Sequence, residues 1–146
     1  MSRAGRRRAT LTGARFQSRW AGSLAVLTFP EEIDIANARQ AGDELNSLLA
    51  RQPAILVVDM TGTRFCDSSG IAALIQARKR AAALRTTLRI AGVRDSIIRV
   101  MRVAGADQLF EFCPSLDVAL GGQSLPGREE PEGGQGTAPA TDPAGG

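Results

Sequence analysis

The chain has 146 residues, enough for one domain with a modest core. It holds no histidine and only two cysteines, Cys66 and Cys113, without CxxC spacing, which removes the usual general base, the Ser-His and Cys-His nucleophile pairs and a zinc or redox motif. Its formal charge of +3 divides into +6 over residues 1–20, 0 over 21–120 and −3 over 121–146. The basic character thus belongs to a leader and argues against a nucleic-acid-binding face on the folded body.

Residues 1–12, with the run Arg6-Arg7-Arg8, read as a flexible basic leader. An arginine-rich start without an apolar h-region is not a secretory signal, and no run of 18 apolar residues is present to span a membrane. The two cysteines then read as reduced packing residues of a cytoplasmic protein.

Residues 15–20 and 24–29 flank Ala21-Gly22-Ser23 and predict a hairpin. Ala38, Ala41, Leu45, Leu48 and Leu49 are spaced as the inner face of a helix over 36–50. The continuous apolar run 54–60, AILVVDM, predicts a central strand. Ile71, Leu74 and Ile75 open a helix reaching about Arg85, whose alanine-rich later face permits close approach to a sheet. TLRIA at 87–91 predicts a short strand, and Ile97, Ile98 and Met101 a helix over 95–104. Gln108–Phe112 suits an edge strand and Ser115–Leu120 a last helical turn or two. Residues 121–146 are rich in Gly and Pro and poor in large apolar side chains, the pattern of a disordered tail, which leaves a domain at 13–120. Strands joined through helices lie parallel, so the expectation is an α/β domain: a small mixed β-sheet of about five strands with helices packed on it.

The stretch Phe65–Ile71, FCDSSGI, carries the chemistry. On the bland reading, Asp67 or Ser68 caps a helix that begins near Ser69, and Gly70 permits close packing. On the functional reading, a hydroxyl at a helix start, after the C-terminal end of a parallel strand, lies where α/β folds place ligand chemistry. No GxSxG elbow, GxxxxGK[ST] loop or GxGxxG fingerprint surrounds it, so the serine is not equipped to attack a substrate itself. It remains suited to accept a group brought by another enzyme, and a phosphate there would meet the positive end of the helix dipole.

VVDMTGTRFCDSSGIAALIQARKRA resembles the signature of the STAS domain, specifically that of bacterial anti-sigma-factor antagonists. Val57, Val58, Asp59, Thr61, Phe65, Asp67, Ser68, Ser69, Gly70, Ile71 and Leu74 carry the likeness. FPEEIDIANA (29–38) and LRIAGVRDSIIRVMRVAGADQLFEF (88–112) are similar to two further family segments, so the resemblance covers about residues 15–120. Pro30-Glu31 departs from the family's usual Gly-Glu. The resemblance implies a STAS-like fold and a binding protein, not an enzyme, without cofactor or metal. Its unphosphorylated form would bind an anti-sigma factor that is itself a serine kinase and so free a sigma factor. The implied settings are transcription regulation by partner switching, stress response and sporulation. The implied phosphate acceptor is Ser68, reversed by a phosphatase, with Asp67, Ser69 and Gly70 shaping its loop. Asp59 either supports that loop or a partner contact, or is a strand-end acid satisfying turn amides. The alternatives are a STAS scaffold or accessory subunit in a lipid-transport or signalling complex, and a nucleotide-binding STAS module.

Overall fold

The structure, a computed structural model, describes residues 15–125. The leader reading for 1–12, and the tail reading beyond residue 125, lie outside the described residues.

Five strands form the main sheet in the order β1-β2-β4-β6-β7. They are β1 (Gln17–Ala21), β2 (Leu24–Thr28), β4 (Ile55–Asp59), β6 (Thr87–Ala91) and β7 (Glu111–Cys113). β1 runs antiparallel to β2, and every other pairing is parallel. The opening hairpin and the parallel remainder are therefore as the sequence predicts. The last strand begins later than the predicted 108–112, because Asp107–Leu109 coils into a 3-10 turn. Two further strands, β3 (Glu32–Ile33) and β5 (Phe65–Cys66), pair parallel in a separate two-stranded sheet that the sequence does not announce.

Helices α1 (Ala38–Leu49), α2 (Ser68–Leu84) and α3 (Asp95–Val103) follow β3, β5 and β6. α1 buries Ala38, Ala41, Leu45, Leu48 and Leu49, the very set that its 3.6-residue spacing selects. Each buried leucine contributes about 1.5–3 kcal/mol. α2 lays Gly70, Ile71, Leu74, Ala77 and Ala81 inward. These faces close over the main core with Leu27, Leu56, Val58 and Ile90 from one side of the sheet. α4 (Leu116–Leu120) joins a second cluster with Leu24, Val26, Val57 and Ala91, which alternate onto the other side. Leu125 packs on this second cluster, so packing continues five residues beyond the predicted domain end at 120. Among the described residues, no helix is long and apolar enough to cross a membrane.

Cys66 and Cys113 are free and buried. Burial, and then the charge of Asp67, pushes the Cys66 thiol up to about 12. The thiol therefore stays protonated and unreactive at neutral pH.

Candidate functional site

The parallel strands all end on one edge of the sheet, where their crossover loops gather. Asp59, the last residue of β4, is 7% exposed. Its Oδ1 accepts the Thr61 amide N–H at 3.0 Å and the Thr61 hydroxyl at 2.6 Å. That carboxylate therefore works on the turn that follows it. The turn is also held from outside. Thr63 donates its hydroxyl to the Pro30 carbonyl at 2.9 Å, and Gly92, at φ +69°, lets the next loop sit against Thr61. A Cβ on Gly92 would meet the Thr61 hydroxyl oxygen and stand 3.0 Å from its Cα.

The chain then enters β5 and α2. The Arg64 and Phe65 amides donate to the Glu31 carbonyl at 2.7 and 3.2 Å, and the Asp67 amide donates to the Ile33 carbonyl at 3.0 Å. These bonds align the motif against the β3 segment. Asp67 is the N-cap residue of α2, with extended backbone, and its carboxylate accepts from the Ser69 and Gly70 amides at 2.9 and 3.2 Å. The sequence left the cap open between Asp67 and Ser68 and set the first helical residue near Ser69. The structure assigns the cap to Asp67 and makes Ser68 the first helical residue. The orphan amides of a helix start favour the stronger acceptor, a carboxylate, over a hydroxyl.

That assignment separates the two serines. The Ser69 hydroxyl donates to Asp67 Oδ1 at 2.5 Å and is half-buried. Ser68 is exposed, and its hydroxyl makes no hydrogen bond to the described protein. Gly70 is buried, and a Cβ there would lie 2.5 Å from Ile33 Cγ2 and 2.6 Å from Cys66 Sγ. The loop therefore rests on glycine at that point. Two large apolar side chains stand out, Ile35 in the turn after β3 and Phe65 in β5: they are 84% and 50% exposed. Sequence reasoning placed neither on the surface. The signal for Ile35 was the Asp34-to-Asn37 turn, in which the Asp34 amide donates to Asn37 Oδ1 at 3.0 Å and breaks the strand alternation. A groove of about 370 Å3 runs between α1 and α2, lined by Ala38, Arg39, Gly42, Ser69, Ala72 and Ala73 among others. No group of acids and cysteines able to hold a metal ion occurs among the described residues.

The Ser69 hydroxyl, foremost, and the Gly70, Ser69 and Ile35 amides hold the Asp67 carboxyl below its ordinary value of 3.8, against a smaller opposing effect of desolvation. A carboxyl depressed in the folded state adds stability above its unfolded value, near 4, and loses it as pH falls through the folded value. The Tm gap between wild type and Asp67→Asn should therefore be full at pH above about 5 and shrink below about pH 4. Thermal unfolding across that range checks this; a gap independent of pH would refute it.

The STAS domain family model matches residues 16–119. No curated protein matches the sequence significantly. Solved structures do share the fold. An anti-sigma factor antagonist from Mycobacterium paratuberculosis is 21% identical with a TM-score of 0.66, covering 73% of this chain and 91% of that one. An anti-sigma-factor antagonist (STAS) domain protein from Planctomyces limnophilus is 19% identical with a TM-score of 0.64, covering 72% and 93%. The Bacillus cell fate determinant SpoIIAA in its phosphorylated form is 14% identical with a TM-score of 0.59, covering 73% and 97%.

Proposed function

The chain belongs to the STAS domain family, and on that footing we propose that it is an anti-sigma-factor antagonist switched by phosphorylation of Ser68. The observation that carries the reading is the contrast between the two serines: Ser68 exposed with a free hydroxyl, Ser69 held by Asp67. A kinase can approach the first without breaking a hydrogen bond that the fold uses. The second donates its hydroxyl to the capping carboxylate of Asp67 and is itself part of the helix start.

The unmodified protein binds an anti-sigma factor that is a serine kinase, and the bound sigma factor is released. In the reverse step the kinase transfers the γ-phosphoryl group of ATP to Ser68. The Ser68 Oγ–P bond forms, the bridging P–O bond to ADP breaks, and the hydroxyl proton passes to a base of the kinase, since this chain has no histidine to take it. A phosphatase hydrolyses the ester and restores the binding form. The protein acts in the cytoplasm by binding and catalyses nothing itself. Asp67, Ser69 and Gly70 set the loop, and Asp59 holds the turn at Thr61 that precedes it in the chain.

The test is labelling with ATP by the anti-sigma kinases of the same genome, with the site read by mass spectrometry. Wild type and Ser69→Ala should be labelled on Ser68, and Ser68→Ala should not be labelled. Phosphate on Ser69 would overturn the assignment within the motif. A transporter ATPase or stoichiometric nucleotide retained by the protein, with no kinase able to label it, would favour the scaffold or nucleotide-binding readings instead.

A further inference from the structure

The two edges of the main sheet are built differently. β7 is three residues long, carries the exposed Glu111 and runs into Pro114. A short strand, a charge and a proline are the usual guards against pairing with another chain. β1, at the other edge, has five residues, with β2 on one side and no strand on the other among the described residues. It contains no proline, and Arg19 is its one charge. The same strand holds Trp20, whose buried indole N–H has no acceptor among the described residues. The hairpin decides which backbone groups face outward. Gly22, at φ +60°, opens a two-residue loop between the paired Ala21 and Leu24. The pair flanking such a loop exchanges both backbone hydrogen bonds, and the exchange recurs at every second pair, here Arg19 with Val26 and Gln17 with Thr28. Ser18 and Trp20, and Phe16 by continuation, therefore turn their N–H and C=O groups away from β2.

We propose that β1 pairs antiparallel with β1 of a second copy of this chain, with the two-fold axis at Ser18, so that the two five-stranded sheets join into one. In that register Ser18 faces Ser18, and Phe16 faces Trp20 of the other copy, each pair exchanging its outward backbone hydrogen bonds. Phe16 and Trp20 are half-buried against the main core, so an aromatic cross-strand pair forms on that face. Gln17 lies opposite Arg19 of the other copy on the opposite face, where the guanidinium can donate to the side-chain carbonyl. Charge selects this register over its neighbours. An axis at Arg19 would set two guanidinium groups face to face, and an axis at Gln17 would set Arg15 opposite Arg19. A slip by half a step would oppose an outward-facing residue to an inward-facing one and lose the bonds. The interface is a strand edge and is small, so the association is weak and depends on concentration. It uses no residue of the Ser68 site and does not rest on the function proposed above.

The experiment is sedimentation equilibrium of the full chain from about 10 μM to about 1 mM, with amide hydrogen exchange followed over the same range. A monomer–dimer equilibrium should appear, and exchange at the Ser18 and Trp20 amides should slow as concentration rises. Gln17→Glu should tighten the dimer by about fivefold, because each new carboxylate faces Arg19 of the other copy. Ser18→Pro removes an outward donor and leaves the β1–β2 bonds in place, and should weaken the dimer by at least about tenfold. Ser18→Lys sets like charges across the axis and should do the same, which keeps the test intact if the proline variant folds poorly. A monomer throughout the range, unchanged association in Ser18→Lys, or no response to Gln17→Glu would overturn the pairing. Concentration-dependent protection at residues 111–113 in place of Ser18 and Trp20 would assign the contact to the other edge and overturn it equally.

Discussion

Ser68→Asp should lower the affinity for the anti-sigma factor by at least tenfold, whereas Ser68→Ala should bind within about twofold of wild type. Tenfold corresponds to about 1.4 kcal/mol. The effect comes from charge in a place that the partner must cover. Ser68 is exposed, as are Ile35, whose amide contacts Asp67, and Phe65, three residues before Ser68; on the proposed function a partner seated on this face takes the Ser68 position out of water. A neutral hydroxyl or a methyl group tolerates this. A carboxylate adjacent to Asp67 has to be desolvated with no cation supplied for it, at a cost of several kcal/mol. A phosphate carries about −1.5 to −2 charges and should act more strongly than the single carboxylate. The folded state should not suffer, because an acid in the first turn of α2 interacts favourably with the helix dipole by about 0.3–1 kcal/mol. Calorimetric titration with the partner and thermal unfolding of each variant separate binding from stability. Wild-type affinity in Ser68→Asp would end the charge-switch account.

Gly70→Ala should destabilise the domain by about 1–3 kcal/mol, the usual cost of forcing a methyl into a filled space. For a domain near this size that lowers Tm by roughly 4–8 °C per kcal/mol. The methyl would lie 2.5 Å from Ile33 Cγ2 and 2.6 Å from Cys66 Sγ, and both residues belong to the small β3–β5 sheet. Relief therefore has to come by moving the start of α2 away from that sheet, which also displaces Asp67 and Ser68. Gly42 supplies the contrast. It lies inside α1 with nothing within 4 Å of a new Cβ, so Gly42→Ala should gain roughly 0.5–1 kcal/mol from helix propensity alone. Opposite signs for the same substitution identify packing as the cause. Combining Gly70→Ala with Ile33→Ala should cost less than the sum of the two single changes, as residues in contact are not additive. Equal Tm values for Gly70→Ala and wild type would show that the small sheet yields without cost.

The sequence alone determined what depends on local periodicity. The inner face of α1, the central strand at Ile55–Asp59 and the parallel connection through helices were all readable, since a 3.6-residue or continuous apolar pattern states which side faces the core. The position of the FCDSSGI motif at a helix start was readable too. Only the tertiary structure decided which residue caps that helix, which serine is free, and what surrounds it. Those outcomes depend on partners roughly 30 residues away in the chain: the Glu31 carbonyl receiving two amides, the Ile33 carbonyl receiving that of Asp67, and the Pro30 carbonyl receiving the Thr63 hydroxyl. Strands of two residues, such as Glu32–Ile33 and Phe65–Cys66, are too short to show a period. The return of the chain's first strand to the Ser68 edge is likewise a property of pairing and register, which no local pattern encodes.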